Sequence, residues 1–272
     1  HIAPGFGEDD YQLGKEKGIA FAQHVKEDGT FVPEMGELAG KAALKSNAII
    51  VSQLKEKELL FKEEKYSHEY PFCWRCNTPL IYYSMKSWFI NVSKHRHKLV
   101  QHNDAIHWEP VHIKEGRFGE WIINAKDWAL SRKRYWGTPL PLWKCTKCAR
   151  VTAIGSIEEL RAKGKNVPAE LDLHKPFVDE ITLTCEKCKS EMRREMDVID
   201  CWYDSGSAPF AQLHYPFENK ELFEKYSPYD YIAEAIDQTR GWFYTLHVLS
   251  VLLFDKPAVK NIVCLGHLLD KK

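Results

Sequence analysis

A chain of 272 residues, 44% hydrophobic and 28% charged, has room for one large domain or two to three modules around real cores. Its 38 basic and 38 acidic residues cancel, so no global field steers it to RNA or membrane, and a nucleic-acid contact must rest on a local patch. No run of about 18 residues is free of polar groups, which argues against a transmembrane helix, and no signal peptide is read.

In chain order, "HIAPGFGEDDYQLGKEKG" (1–18) predicts a Pro/Gly loop entering an acidic helix start, with Asp9 or Asp10 as the cap. "IAFAQHV" (19–25) reads as a strand, and "KEDGTFVPEMGELAG" (26–40) as turns. Residues 41–58 read as an amphipathic helix with Ala43, Ile50 and Leu54 on one face. "LLFKEEKYS" (59–67) reads as a strand, and the aromatic and β-branched residues of "TPLIYYSMKSWFINVS" (78–93) suit one or two more. Residues 117–130 read as helical, and Pro139 and Pro141 then break the structure. A cysteine-bounded insert fills 145–188. Beyond it come a strand around Val198, a loop around Tyr231 following a strand that ends near Ile232, a helix over 237–254 and a strand over 259–265, an α/β pattern.

Six of the eight cysteines fall into C-x-x-C pairs: Cys73 with Cys76, Cys145 with Cys148, and Cys185 with Cys188. Such pairs favour metal over disulfide where no secretory signal is read. Cys145, Cys148, Cys185 and Cys188 supply the four thiolates of a closed structural zinc site, although the 36 residues between the knuckles exceed the usual ribbon interval. Two unpaired reduced thiol pairs are the alternative. Cys73 and Cys76 make half a site, with His68 as a possible third ligand. Cys201 and Cys264 read as small buried hydrophobes.

Three further stretches carry chemistry. In "KDWALSRKRYWGTPLPLW" (126–143), cations interleave with aromatic rings, which suits phosphates and unpaired bases, or else is a solvated charge run over an aromatic core. "DVIDCWYDSGSAPFAQ" (197–212) reads as an apolar strand ending in Trp202, Asp204 and Gly206, where open α/β sheets bind ligands, or as a plain strand-to-turn step with a core Trp. "YIAEAIDQTRGWFYTLHVLSVLLF" (231–254) sets Glu234 and Gln238 at a predicted helix N-terminus, a place for phosphate and ribose. Trp242, one turn in, would close an apolar pocket with Trp202. A capping Asp and a helix dipole are the blander reading.

Together "HIAPGFGEDD", "YPFCWRC", "SWFINVS", "HIKEGRFGEWI", "DWALSRKRYWGTPLPLW", "DVIDCWYDSGS" and "IDQTRGWFYTL" resemble class I isoleucyl-tRNA synthetases, in the family's order and along essentially the whole chain. The Asp-Gln-Thr-Arg-Gly-Trp-Phe run separates it from valyl and leucyl relatives. "WALSRKRYWGTPLPLW" looks like the archaeal and eukaryotic branch.

The resemblance implies an α/β fold: the second half of a class I Rossmann catalytic domain, an inserted zinc ribbon and the tail of a β-rich editing domain. Its parts would be 1–66 (editing), 67–144 (connective, with half a zinc knuckle site), 145–190 (zinc ribbon) and 191–272 (catalytic). It implies isoleucyl-adenylate formation from isoleucine and ATP with Mg2+, transfer to tRNA(Ile), and hydrolysis of mischarged valyl-tRNA. Carried over by motif, Trp202 and Trp242 would line the isoleucine pocket, and Glu234, Asp237 and Gln238 would hold the adenylate. His1 and Asp10 would serve editing. Cys145, Cys148, Cys185 and Cys188 would bind Zn2+, and Cys73 and Cys76 would be half of another zinc site whose second knuckle lies upstream. The expected protein is a cytoplasmic monomer.

There are departures from the family pattern. Its His-Ile-Gly-His-type and Lys-Met-Ser-Lys-Ser motifs are absent, so the chain reads as an internal fragment expected to be inactive alone. Ala235 stands where Gly is common, and Leu265 where some members carry His. A non-catalytic zinc-ribbon RNA-binding module and a valyl-tRNA synthetase fragment are the competing readings.

Overall fold

The structure, a computed structural model, describes residues 2–267 and Asp270. The chain parts into two compact units, His1–Lys86 and Ser87–Lys272.

The first unit has a small core of Val25, Phe31 and Leu38, with Phe6, Met35, Ala43, Ile49, Ile50 and Ile81 against it. Its helix Glu8–Lys17 is acidic in the first turn and basic in the last, complementing the helix dipole, and ends on Gly18 in the left-handed region. The N-cap is Gly7, with no side-chain cap bond, so neither Asp9 nor Asp10 caps it. The second helix, Asn47–Glu56, is shorter than predicted because a 3-10 turn, Ala43–Lys45, takes up its start. Two predicted strands do not form. In 19–25 only Val25 makes a bridge, to Phe31, and 59–67 is irregular. Strand-prone residues become strand only where a partner supplies the ladder, and Phe61 is fully exposed.

The second unit contains a three-stranded parallel sheet. Val259–Leu265 is central, flanked by Tyr229–Ala235 and His107–Glu109. Helix Trp242–Phe254 connects the two longer strands. It is apolar nearly all round, and residues 243–251 are all buried, as a helix packed on several sides must be. Helices Arg96–Asp104 and Cys201–Gly206 pack against it. The core joins Leu99, Trp108, Phe118, Ile122, Phe243, Leu246, Val248 and Ile262. Trp108 donates its indole N–H to Asn103 at 3.0 Å, so its polar atom is satisfied inside.

Residues 117–130 are not one helix. A π-helical turn, Lys114–Gly119, is followed by the short helix Glu120–Ile123, and Trp128–Ala129 is extended, paired with Phe89–Ile90. A Cβ at Gly119 would fall 2.6 Å from the Lys114 carbonyl oxygen, so this close turn requires glycine. Only two residues of 78–93 become strand.

The insert is a five-stranded antiparallel ribbon in the order Val151–Ala153, Leu142–Cys145, Glu191–Arg194, Thr182–Thr184, Gly164–Lys165. Its core is Trp143, Ile154, Leu160, Val178, Ile181, Leu183 and Met192, with Cys145 and Cys185. Ser156 caps the helix Ile157–Lys163 by accepting the Glu159 N–H, and Glu159 in turn accepts the Gly155 N–H. Arg194, buried, is neutralised by Asp179 and donates to the Leu140 carbonyl.

Strand Val198–Ile199 pairs antiparallel with Ser131–Arg132, outside the parallel sheet. Trp202 and Gly206 therefore do not end a parallel strand, as their sequence suggested, but ride on helix Cys201–Gly206. A Cβ on Gly206 would come within 3.0 Å of Leu249 and Thr245, so this helix lies directly on Trp242–Phe254. Among the described residues no helix is long and apolar enough to cross a membrane.

Candidate functional site

The carboxyl end of the parallel sheet carries the candidate site. Glu234 and Ala235 are the last residues of their strand, in register with Cys264 and Leu265. The chain then makes a 3-10 turn, Ile236–Arg240, breaks at Gly241 and starts the long helix at Trp242. The predicted continuous helix over 237–254 is thus divided. Glu234 is on the strand rather than at a helix N-terminus, and Trp242 is the first residue of the helix rather than one turn in. Glu234 and Asp237 are exposed and Gln238 is half-buried.

Gln238 accepts the Trp242 backbone N–H at 2.8 Å and donates to Asp237 at 3.0 Å. Both indoles border this turn. A Cβ on Gly241 would lie 2.8 Å from the Trp202 ring and 2.7 Å from the Gln238 oxygen, and the Trp242 indole donates to the Ser205 carbonyl at 2.9 Å. Trp202 stays 40% exposed. The sheet edge thus presents exposed carboxylates and an amide beside two aromatic walls, a combination suited to a polar group and an apolar side chain on one ligand. Nearby, Asp204 accepts from the Thr138 hydroxyl at 3.0 Å. Burial still holds its carboxyl above the ordinary range, assisted by Asp200.

The basic and aromatic stretch divides. Arg132 is structural, donating to the buried Asp200 at 2.7 Å, and Trp128 donates to the same carboxylate at 3.0 Å. Tyr135 and Trp136 are 63% and 77% exposed, and Trp136 stacks on His174.

The four ribbon sulfurs converge. Cys145, Cys148, Cys185 and Cys188 place their Sγ atoms within 4.8 Å of one another. The separations Cys145–Cys188, Cys148–Cys188 and Cys148–Cys185 are 3.3, 3.5 and 3.6 Å, far too long for a disulfide. They are near the edge of about 3.8 Å that a tetrahedron with Zn–S of about 2.3 Å requires. The Ser190 backbone N–H pulls the Cys188 thiol down to about 6, and the Cys188 N–H lowers Cys185. At Cys148 the Arg150 N–H works the same way but is outweighed by burial and the other three sulfurs, and the thiol goes up to about 11. Four adjacent thiols cannot all ionise unless a cation replaces their protons. This donor set fits zinc.

The third pair shares the fold of the other two. In each knuckle the first Cys donates its N–H to the residue five positions on, and its carbonyl accepts the N–H of the residue after the second Cys. That residue is in the left-handed region: Asn77 (φ 55°), Ala149 (56°) and Lys189 (61°). Yet among the described residues only the ribbon set gathers three or more metal ligands. His68 Nδ1 is instead in contact with the Glu69 carbonyl. Of the single cysteines, Cys264 is buried as expected, whereas Cys201 is exposed because it opens a helix rather than continuing a core strand.

Of the proposed editing residues, His1 lies outside the described residues. Asp10 is half-buried and accepts the Ala3 N–H at 2.9 Å, closing the loop before its helix. That loop borders a hollow of about 350 Å³ lined by Ile2, Ala3, Pro4, Phe6, His24 and Met35, among others. One feature escaped the sequence reading: Arg117 bonds Thr239, 122 residues away. Its one available signal was the pair of glycines around it in "KEGRFGE".

The family model for class I tRNA synthetases (I, L, M and V) matches residues 35–272, and the chain belongs to that family. Within it, the isoleucine--tRNA ligase of Clostridium acetobutylicum is 53% identical over 100% of this chain and 26% of its own length. Those of Thermus thermophilus and Dehalococcoides mccartyi are 50% and 48% identical, again over the whole chain and 26% and 27% of their own. The chain therefore matches isoleucine--tRNA ligases from end to end while spanning about a quarter of their length. These relatives are bacterial, which corrects the assignment to an archaeal and eukaryotic branch. A LeuRS in a ternary LeuRS-tRNA-LeuAMS complex from Agrobacterium radiobacter K84 is 21% identical, with a TM-score of 0.40, over 53% of this chain and 20% of that one. That likeness is too loose to build on.

Proposed function

We propose that the protein containing this chain is an isoleucine–tRNA ligase. It would form isoleucyl-adenylate from isoleucine and ATP with Mg2+, pass the acyl group to tRNA(Ile), and hydrolyse mischarged valyl-tRNA. The observation that carries this reading is the placement of Glu234, Asp237, Gln238, Trp202 and Trp242 around one strand-to-turn step at the carboxyl end of the sheet, in a chain matching such ligases throughout. The polar three would hold the adenylate and the indoles the isoleucine side chain. The ribbon cysteines would hold a structural zinc, and Cys73 with Cys76 would complete a second site with a knuckle from elsewhere in the protein.

The first 66 residues would belong to the editing domain, with His1 and Asp10 acting there. Residues 67–144 would connect it to the catalytic half at 191–272 across the 145–190 ribbon. Editing is required because one methylene discriminates weakly, a limit for which this family is itself the standard case. The protein would work as a cytoplasmic monomer. The test is ATP–pyrophosphate exchange by the full-length protein. Exchange that depends on isoleucine, with Val-tRNA(Ile) deacylated, supports the reading. Exchange driven by leucine, or by valine in preference to isoleucine, refutes it.

A further inference from the structure

We propose that Arg117 and Thr239 form a positioning pair that holds the ligand-binding turn 236–241 in register with the sheet edge. The proposal rests on the ligase reading of that turn. Thr239 is the turn's anchor, fully buried with 0% exposure, while its neighbours Asp237 and Arg240 face solvent. Its hydroxyl donates to the Ile236 carbonyl at 2.7 Å and accepts from Arg117 Nε at 2.9 Å, so its hydrogen and a lone pair are both committed.

Arg117 comes from far away in sequence, on the π-helical turn Lys114–Gly119. Such turns recur at functional sites, and this one breaks from helical backbone at Gly116, immediately before Arg117. The link is reciprocal. Arg240 donates to the Arg117 carbonyl at 2.6 Å, and its guanidinium lies 4.4 Å from the centre of the Trp121 ring. The turn is therefore tied at both Thr239 and Arg240 to one segment, 114–123. Burial lowers the Arg240 guanidinium from its ordinary value, and the adjacent Arg117 cation adds to this.

The tie reaches the residues proposed to touch ligand. Asp237 and Gln238 lie between the Ile236 carbonyl and Thr239, inside the loop the hydroxyl closes. Gln238 then fixes the Trp242 N–H. Glu234, in register with Cys264, and Ala235 end the strand that leads directly into this turn. A shift of the turn would thus move amide, carboxylate and indole together, and displacement of about 1 Å in such a constellation costs on the order of a hundredfold in rate.

The test uses the full-length ligase and isoleucine-dependent pyrophosphate exchange. Thr239→Val keeps the shape and removes both hydroxyl bonds; Thr239→Ser keeps the hydroxyl. We expect Thr239→Val to lower kcat/KM for isoleucine by roughly 10- to 100-fold, with Thr239→Ser within about 3-fold of wild type. Arg117→Lys, at an exposed side chain that folding tolerates, should lose about 10-fold. Combined with Thr239→Val it should add less than about 2-fold, as members of one unit do. A purely structural pair would lower the melting temperature and leave kcat and KM alone. Wild-type kinetics in a folded Thr239→Val enzyme, or in Arg117→Lys should Thr239→Val not fold, overturns the proposal by itself. A wild-type enzyme that does not respond to isoleucine overturns the ligase reading and this proposal with it.

Discussion

Replacing Cys185 and Cys188 together by Ser removes half of the ribbon's sulfur cluster and tests whether that cluster is a metal centre. In the folded chain the two knuckles bring together sulfurs separated by 36 residues of sequence, from Cys148 to Cys185. A clip across a loop of that length restricts the unfolded chain by about 4 kcal/mol in the loop-closure treatment. The serine oxygens would also replace a buried, unexposed sulfur at 185, beside Leu183 and Met192. The assay is metal content of the purified 272-residue chain, with a chemical melt followed by the fluorescence of Trp143, which sits in the ribbon core. Wild type should carry about one zinc per chain and the double variant almost none, since a closed site requires all four thiolates. The ribbon transition should move down by about 4 kcal/mol, and a chelator should move wild type to the same place. Full zinc in the double variant, or a wild-type melt indifferent to chelator, would refute the reasoning.

On the ligase reading, Trp242→Ala in the full-length protein should raise the isoleucine requirement while leaving that for ATP within a few-fold. Loss of an aromatic wall is worth about 2–4 kcal/mol by analogy with buried truncations, and an unchanged isoleucine dependence would make Trp242 only core. Asp10→Ala should leave isoleucine activation near wild type and abolish Val-tRNA deacylation; normal deacylation with lower thermal stability would reduce Asp10 to closing the Ala3 loop. Burial holds the His247 imidazole down at about 4, from an ordinary 6.5, so the unfolded chain binds a proton between those values that the folded chain refuses. Stability should therefore fall as pH drops from about 6.5 toward 4, by up to about 1.4 kcal/mol per unit from this residue. His247→Gln should flatten that slope, and identical slopes in the two proteins would count against the assignment.

The α/β half was legible because its signals are local. The helix beginning at Trp242 is a dense apolar run, and the strands Tyr229–Ala235 and Val259–Leu265 flank it at short range. The metal set was legible because C-x-x-C spacing builds the same knuckle wherever it occurs, as the three pairs show. The break at Gly241 was not legible, because it depends on the Trp202 ring occupying the space of a side chain there, 39 positions away. Trp202 itself was misplaced on a strand end because Val198 and Ile199 are strand-like, yet they pair with Ser131–Arg132 rather than with the parallel sheet. The false strand at 59–67 shows the converse: propensity without a pairing partner remains irregular chain.

The short ladder between Ser131–Arg132 and Val198–Ile199 has a consequence for how the molecule comes apart. It brings the exit and return of the ribbon side by side, with Asp200 donating to Leu130 and Ile199 to Thr138 at 2.7 and 2.6 Å. The ribbon has its own core and its own four-cysteine cluster, and the ladder closes the parallel-sheet layer behind it. Loss of the cluster's integrity then need not propagate: the insert can open as a cooperative block of its own while the parallel sheet keeps its amide protons shielded. If the ribbon cysteines hold an ion, its loss would open this one appendage first and leave the parallel sheet folded.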